Sequence, residues 1–456
     1  MADTDTTPQP SPESAGVPTG TSELALDVAS GTPAGLVVDD PIGPGSAAGG
    51  APDDQHGLVA HSHGAGVPQQ SRAERHTSFV VEEFAVPTGR EEEWRFTPLA
   101  GARALFEPAG PGAAPLQVSV SAPQGATSRR VGAGDPARGA GFVPGDRAAV
   151  VAYADADGAD VVTIAAEADL ADPVLVELRA TGARSAGHLV LDAGPYSRAT
   201  VVLDHRGSGA IGSGVEVRVG EGAHLTVVSV QQWDDDAHHL GQHDLLVGRD
   251  ATLKHVVVTL GGKLVRLGAT VRYAGPGGDA TLLGVYFADA GQHLEHRSFV
   301  DHEAANCRSN VVYKGALQGE TAHTVWVGDV LIRASALGTD TYELNRNLVL
   351  TDGARADSVP NLEIETGEIV GAGHASATGR FDDEQLFYLQ SRGIPEDAAR
   401  RMVVRAFFFD VLQQIGASAV TDRLMEAIDA ELAQSALPAV ASEVAGAVAE
   451  TAGALA

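Results

Sequence analysis

The sequence predicts a mainly β chain wound as a β-solenoid, with helical segments before and after it. Between about 115 and 380, short runs alternate apolar and polar residues: 188–194 (HLVLDAG), 214–222 (GVEVRVGEG), 224–230 (HLTVVSV), 252–262 (TLKHVVVTLGG) and 347–354 (NLVLTDGA). No helical stretch of useful length is expected between them, which argues against βαβ units, where a helix must join parallel strands. Turn markers also recur. Gly194-Pro195, Gly222-Ala223, Asp250-Ala251 and Asp279-Ala280 lie about 28 residues apart, and Glu320-Thr321, Leu337-Gly338, Gly353-Ala354 and Gly371-Ala372 about 17 apart. Each coil of a solenoid leaves its apolar face open until the next stacks on it, so corners take small residues and strand interiors take Val, Leu and Ile. A two-sheet sandwich would also give short strands with glycine turns, and the pattern alone leaves both architectures standing.

Residues 1–70 mix Pro, Gly, Ser, Thr, Ala and Asp without periodicity; such a segment cannot bury enough apolar area to offset its ordering entropy, and a disordered acidic tail is expected. From 71 to 110, charged residues interleave with aromatics and Pro87 and Pro98 interrupt the pattern, which predicts short helices packing Phe79, Phe84, Trp94 and Phe96. The solenoid is assigned to 111–380 and a helical domain to 381–456. There, Asp382 and Asp383 cap a helix running to Gln390, Gly393 suits its left-handed C-terminal position, and Pro395 with Glu396-Asp397 opens the next. This second helix, 396–414, is apolar on nearly every face. A third, with Val420, Leu424, Ile428 and Leu432, covers part of it, and the remainder is expected to be a docking face.

Sixty acidic against thirty-one basic residues give a formal charge of −29, a field that repels nucleic acid and anionic membrane surfaces. A single cysteine, Cys307, excludes an internal disulfide framework and a four-thiolate metal site. No Lys or Arg precedes Arg72, and no apolar run is long enough for a signal peptide or a membrane span, so a cytoplasmic protein is expected.

His374 stands in GAGHASATG, where small neighbours leave the imidazole open as a ligand or proton carrier. Cys307, alone among strands, reads as a small core filler. Three histidine groups have chelating spacing, His61 with His63, His238-His239 with His243, and His293 with His296 and His302; none has a neighbouring thiol, and adventitious metal binding is the default. Asp234-Asp235-Asp236 lacks the spaced ligands and glycine of a calcium loop and reads as a solvated turn. There is no G-x-x-x-x-G-K-[ST], G-x-S-x-G or H-E-x-x-H, so any energy input must come from a partner.

Residues 338–395 carry a further signal. Gly338-Thr339-Asp340, the run 345–350, Asp352-Gly353-Ala354, the run 360–363, His374, Asp382-Asp383-Glu384 and Ser391-Arg392-Gly393-Ile394-Pro395 follow in an order and spacing that resemble SufD-type members of the SufB/SufD family, subunits of the SUF iron-sulfur cluster assembly scaffold. Weaker matches reach back to Gly89-Arg90-Glu91-Glu92-Glu93-Trp94. The resemblance favours the solenoid over the sandwich and implies a right-handed parallel β-helix core with N- and C-terminal α-helical regions. It also implies a non-enzymatic scaffold that pairs with a SufB homologue through the β-helix and docks the SufC ATPase through its C-terminal helices.

On that resemblance, Asn347, Leu348, Val349, Leu350, Leu362 and Ile364 are expected near the SufB contact, and Arg392, Gly393, Ile394, Pro395, Glu396 and Arg401 near the SufC contact. His374 is the candidate ligand of a nascent iron-sulfur cluster shared with SufB, and a reduced flavin in the assembled complex and a homodimer of the isolated chain are further expectations. The chain departs from the family pattern beside that histidine: many relatives read Cys-Ser-His-Gly where this sequence has Ala372-Gly373-His374-Ala375, so a thiolate would have to come from SufB. A SufB-like cluster-bearing chain is the near alternative, disfavoured because no cysteine follows Cys307. A β-helix enzyme acting on polysaccharide is the distant one, disfavoured by the missing export signal.

Overall fold

The computed structural model describes residues 75–109, 112–381 and 383–434. The chain divides into two units, Met1–Val67 and Pro68–Ala456. The first lies wholly outside the described residues, and with it the expected disordered tail.

In chain order the strands are β1 (Ala114–Pro115), β2 (Gln117–Ser121), β3 (Ala126–Gly132), β4 (Gly158–Ile164), β5 (Val174–Ala180), β6 (Arg184–Ala193), β7 (Arg198–Gly207), β8 (Ala210–Val219), β9 (His224–Trp233), β10 (His238–Val247), β11 (Thr252–Thr259), β12 (Leu264–Tyr273), β13 (Asp279–Ala288), β14 (His293–His302), β15 (Arg308–Leu317), β16 (His323–Ile332), β17 (Asp340–Val349), β18 (Arg355–Ile364) and β19 (Gly371–Arg380). They alternate between two sheets. One runs β18-β16-β14-β12-β10-β8-β6-β4-β3 with β1 beside β6, the other β19-β17-β15-β13-β11-β9-β7-β5-β2.

From β4 to β19 every pairing is parallel, so each coil lays one strand on each sheet and the architecture is a β-solenoid, not a sandwich. Ala210, His238, Leu264, His293, His323 and Arg355 stand level, and so do His224, Thr252, Asp279, Arg308, Asp340 and Gly371, giving coils of 26 to 32 residues. The markers about 28 apart in the sequence are therefore whole coils. The set about 17 apart marks half-coils, with Glu320-Thr321, Leu337-Gly338 and Gly353-Ala354 at alternate corners and Gly371-Ala372 at the start of β19.

The corners are held by backbone in the left-handed region. Tyr196, Gly222, Asp250, Gly277, Asn306 and Gly338 all have positive φ, and each donates its N–H to a carbonyl of the following coil, as Gly222 does to Arg249 at 2.9 Å and Gly338 to Glu368 at 2.7 Å. Between the sheets lies one apolar core that includes Leu189, Val217, Val227, Leu253, Leu282, Val311 and Trp326. Cys307 is fully buried in it, as a core filler should be, and burial raises its thiol pKa.

The N-terminal region contains single turns rather than helices of any length: 3-10 turns at Val81–Glu83 and Arg103–Phe106 flank the four-residue α1 (Leu99–Ala102). Phe84 and Trp94 are buried, Phe96 is half-buried, and Phe79 stays 45% exposed against the Tyr153 ring. A nine-residue helix that the sequence reading did not expect, α2 (Arg147–Asp155), sits between β3 and β4. Asp146 caps it by accepting from Ala149 N–H at 2.8 Å. It packs on the outside of β6 and β8, where a Cβ on Gly212 would stand 2.9 Å from Ala152. The alternation reading missed it because its Ala-Ala-Val-Val core carries no polar interval to set a period.

After β19 come α3 (Asp383–Ser391), α4 (Glu396–Leu412) and α5 (Ser418–Gln434), with Gly393 at φ 85° between the first two. The excess apolar surface of α4 has an internal use. Val404, Phe408, Val411 and Leu412 join Val228, Val256, Val258, Leu283 and Val285 on the outer face of the second sheet, in one cluster with α5. Lys254 from β11 donates to the carbonyls of Gln414 and Ile415, a cation at the helix C-terminus, and Lys314 from β15 pairs with Asp410 at 2.5 Å.

Candidate functional site

Side chains on a strand alternate between faces, and residues level on neighbouring parallel strands point the same way. In β17 the inward row is Thr341, Glu343, Asn345 and Asn347, all buried. In β19 the level residues are Ala372, His374, Ser376 and Thr378. His374 thus belongs to the row facing between the sheets, yet it is exposed, because no further coil stacks on β18 and β19 among the described residues. On β18, Ser358 and Leu362 face the same opening. The last coil is the mouth of the solenoid interior.

Glu343 stands level with His374, one strand inward. It is 1% exposed, and neither carboxylate oxygen has a hydrogen-bond partner. Burial, with the Asp329 charge adding to it, raises its pKa to about 8, so it is largely protonated near neutrality. The sequence reading missed it. A lone Glu in an alternating strand reads as outward, and only the register of β17 shows that its row points inward.

A line of polar groups leads from this mouth into the interior. Asn347 donates to Asn345 Oδ1 at 2.8 Å and meets Thr378 Oγ1 at 3.4 Å, while Ser358 donates to the same Asn345 oxygen. Asn345 donates to the Tyr286 hydroxyl at 2.9 Å, and Tyr286 donates to Asn347 Oδ1 at 2.9 Å. Tyr286 stacks on His296, whose Nε2 lies 2.9 Å from Thr259 Oγ1. Burial lowers the pKa of His296 to about 3 and of His255 to about 4, so these interior rings are neutral.

The histidine groups suggested by spacing are rearranged by the coils. His293 points outward and His296 and His302 inward, so that group is split. His239 and His243 face inward, where His243 meets His255 from the opposite sheet at 2.9 Å, and His239 meets Ser213 at 2.8 Å. His61 and His63 lie outside the described residues. Among the described residues no group of three or more His, Cys, Asp or Glu is arranged to hold a metal ion. Asp234, Asp235 and Asp236 form an exposed turn.

The residues expected at partner contacts fall in different settings. Leu348 and Val349 are half-buried, Leu350 is buried in the cluster under the C-terminal helices, and Leu362 is half-buried at the mouth. Ile364 is exposed. The Asn347 side chain is spent on the interior network, so only the strand it belongs to approaches the open end. At the α3–α4 corner, Arg392, Gly393 and Pro395 are exposed and Ile394 is half-buried. Glu396 accepts from Arg400 at 3.0 Å, and Arg401 pairs with Asp397 at 2.8 Å. Phe387, Tyr388, Met402 and Phe409 are exposed on the same two helices, which the sequence reading did not resolve residue by residue.

A cleft of about 840 Å³ lies between the outer face of the first sheet and the segment 75–96. Its arginines are largely occupied by its own acids. Arg75 pairs with Asp329, Arg333 with Asp301 at 2.6 Å, and Arg266 with Asp146 at 2.7 Å and Glu295 at 3.3 Å, while Arg266 also covers the Trp94 ring at 3.8 Å. This is a brace for the N-terminal segment more than a binding surface. No helix among the described residues is long and apolar enough to cross a membrane.

Residues 176–407 match the profile described as SUF system FeS cluster assembly, SufBD core domain. An iron-sulfur cluster assembly SufBD family protein of Mycobacterium bovis is 53% identical over 370 residues, 79% of this chain and 93% of that protein. One from Mycobacterium leprae is 53% identical over 363 residues, 78% of this chain and 93% of its own length. The iron-sulfur cluster assembly protein SufD of Escherichia coli is 27% identical over 204 residues, 45% of this chain and 48% of that protein.

Proposed function

Because the chain belongs to the SufBD family of iron-sulfur cluster assembly proteins, we propose that it is the SufD-type, non-catalytic scaffold subunit of a SufBCD-type complex in the cytoplasm. The observation that carries this reading is the mouth of the solenoid. It presents His374 in the open beside Glu343, buried with no hydrogen-bond partner, and β18 and β19 have no outer strand neighbour among the described residues. An unpaired edge is a template for a second chain. A SufB homologue adding its own coil there covers His374 and closes the interior.

The iron-sulfur cluster is cargo in this reading. His374 supplies an imidazole nitrogen to iron, and the thiolate comes from SufB, since Cys307 is buried away from the mouth. Protonated Glu343 holds a proton one strand away, available to sulfide or to the imidazole. A SufB-like role is disfavoured by that same buried, high-pKa cysteine. The exposed Phe387, Tyr388, Met402 and Phe409, together with Arg392, which covers the Tyr388 ring at 4.9 Å, Ile394 and Arg401, are the residues offered to SufC. The flavin expectation finds no support in the described residues and has no part in this reading.

The test is co-purification with the SufB and SufC homologues of the same source, followed by anaerobic cluster reconstitution read by visible absorbance. The expected result is a stable complex in which His374→Ala lowers cluster yield at least severalfold without dissolving the complex. A complex with undiminished cluster in the variant removes the chemical role of His374, and no complex at all removes the scaffold reading.

A further inference from the structure

On the outer face of the first sheet, His293 opens β14 and His323 opens β16, level with each other. Their Nδ1 atoms are 3.1 Å apart. Each ring is held from behind by a carboxylate, His293 Nε2 by Glu295 at 3.2 Å and His323 Nε2 by Asp357 at 2.7 Å.

Both carboxylates sit among donors. Glu295 takes Arg266 at 3.3 Å, Arg297 at 3.1 Å and Thr97 at 2.7 Å, and Asp357 takes Arg355 at 2.7 Å. A carboxylate so paired accepts hydrogen bonds, so each ring places an N–H at Nε2. Each ring then turns its Nδ1 toward the other. Two Nδ1 lone pairs 3.1 Å apart repel unless a cation lies between them.

That cation is a proton or a metal ion, and two observations favour the metal. Two nitrogens at this separation both reach one ion at the ~2.1 Å metal–nitrogen distance of zinc. A carboxylate on the far nitrogen of each imidazole is the support that fixes tautomer and ring orientation in histidine–metal sites. The His293 side chain is nearly buried, while His323 and Asp357 are each 21% exposed, which leaves one side open for water.

We infer that His293 and His323 form a binding site for a divalent first-row metal ion of the zinc class, with their two Nδ1 atoms as protein ligands and water completing the shell. Two protein ligands make it an open site that exchanges its metal. It lies on the outside of the coil stack and does not depend on the role of His374.

The experiment is calorimetric titration of the full, chelator-treated chain with zinc, repeated with cobalt and read by visible absorbance. The expected result is one equivalent that His323→Ala removes and that His61→Ala/His63→Ala retains. Asp357→Asn, which keeps both ligands and loosens only the support, should weaken binding about 10- to 100-fold with an unchanged circular dichroism spectrum. Zinc uptake that is absent from the wild type, or unchanged in both His323→Ala and Asp357→Asn, overturns the site; the two rings then share a proton.

Discussion

The two ends of the solenoid are finished differently. At the first coil, β2 pairs antiparallel with β5 and β3 with β4, so both sheet edges are occupied and Val174, Val176 and Leu178 remain buried beneath them. At the last coil, β18 and β19 have no outer neighbour among the described residues, and no residue of either strand is buried. A stack of coils must be capped to stay soluble and single. One end is capped by the chain itself, and the other is left for something else to cap, which is where the candidate chemistry lies.

Leucine truncation is the strongest way to break this contrast. Leu178→Ala at the closed end should cost about 2–4 kcal/mol, and Leu362→Ala at the open end about 1 kcal/mol, in chemical denaturation of the isolated chain. Equal losses would mean the open end is already covered, by a second copy for instance. A smaller effect is expected from Glu343→Gln. With its carboxyl raised to about 8, the folded chain holds a proton that the unfolded chain has released between about pH 4.5 and 8, so native stability falls as pH rises through that window. Gln cannot ionise, and the variant should gain on the wild type by about 1–3 kcal/mol between pH 5 and 8.5. A gap that does not open with pH would show that Glu343 has found a partner. Least of all, Arg380→Ala, which removes the exposed pair with Asp352 at the end of β19, should leave the melting temperature unchanged. A measurable drop would show that ionic contacts, not stacking, hold the final coil.

The coil repeat was legible because corners demand special residues. Gly222, Asp250 and Gly338 adopt left-handed backbone and mark the stack directly. The C-terminal helices were legible through Gly393 and Pro395. The candidate site was only half legible. His374 stood out by its small neighbours, but Glu343 needed the register that sets it level with His374. The histidine spacings misled for one reason: near neighbours in a strand alternate faces, while true neighbours such as His293 and His323, or His243 and His255, come from different strands. The apolar breadth of α4 pointed to a partner surface, and most of it turned out to cover the outside of the chain's own second sheet. Periodicity counts apolar faces without saying which molecule fills them.

Cys307 has a practical consequence. The chain's one thiol is sealed in the core with its pKa raised, and so is slow toward alkylating reagents. A cysteine introduced at Ser376, exposed and in the same row as His374, would therefore be the single fast-reacting thiol of the whole protein. A spin label or fluorophore could be placed there without first stripping any native cysteine, and the mouth of the solenoid watched directly as partners arrive and leave.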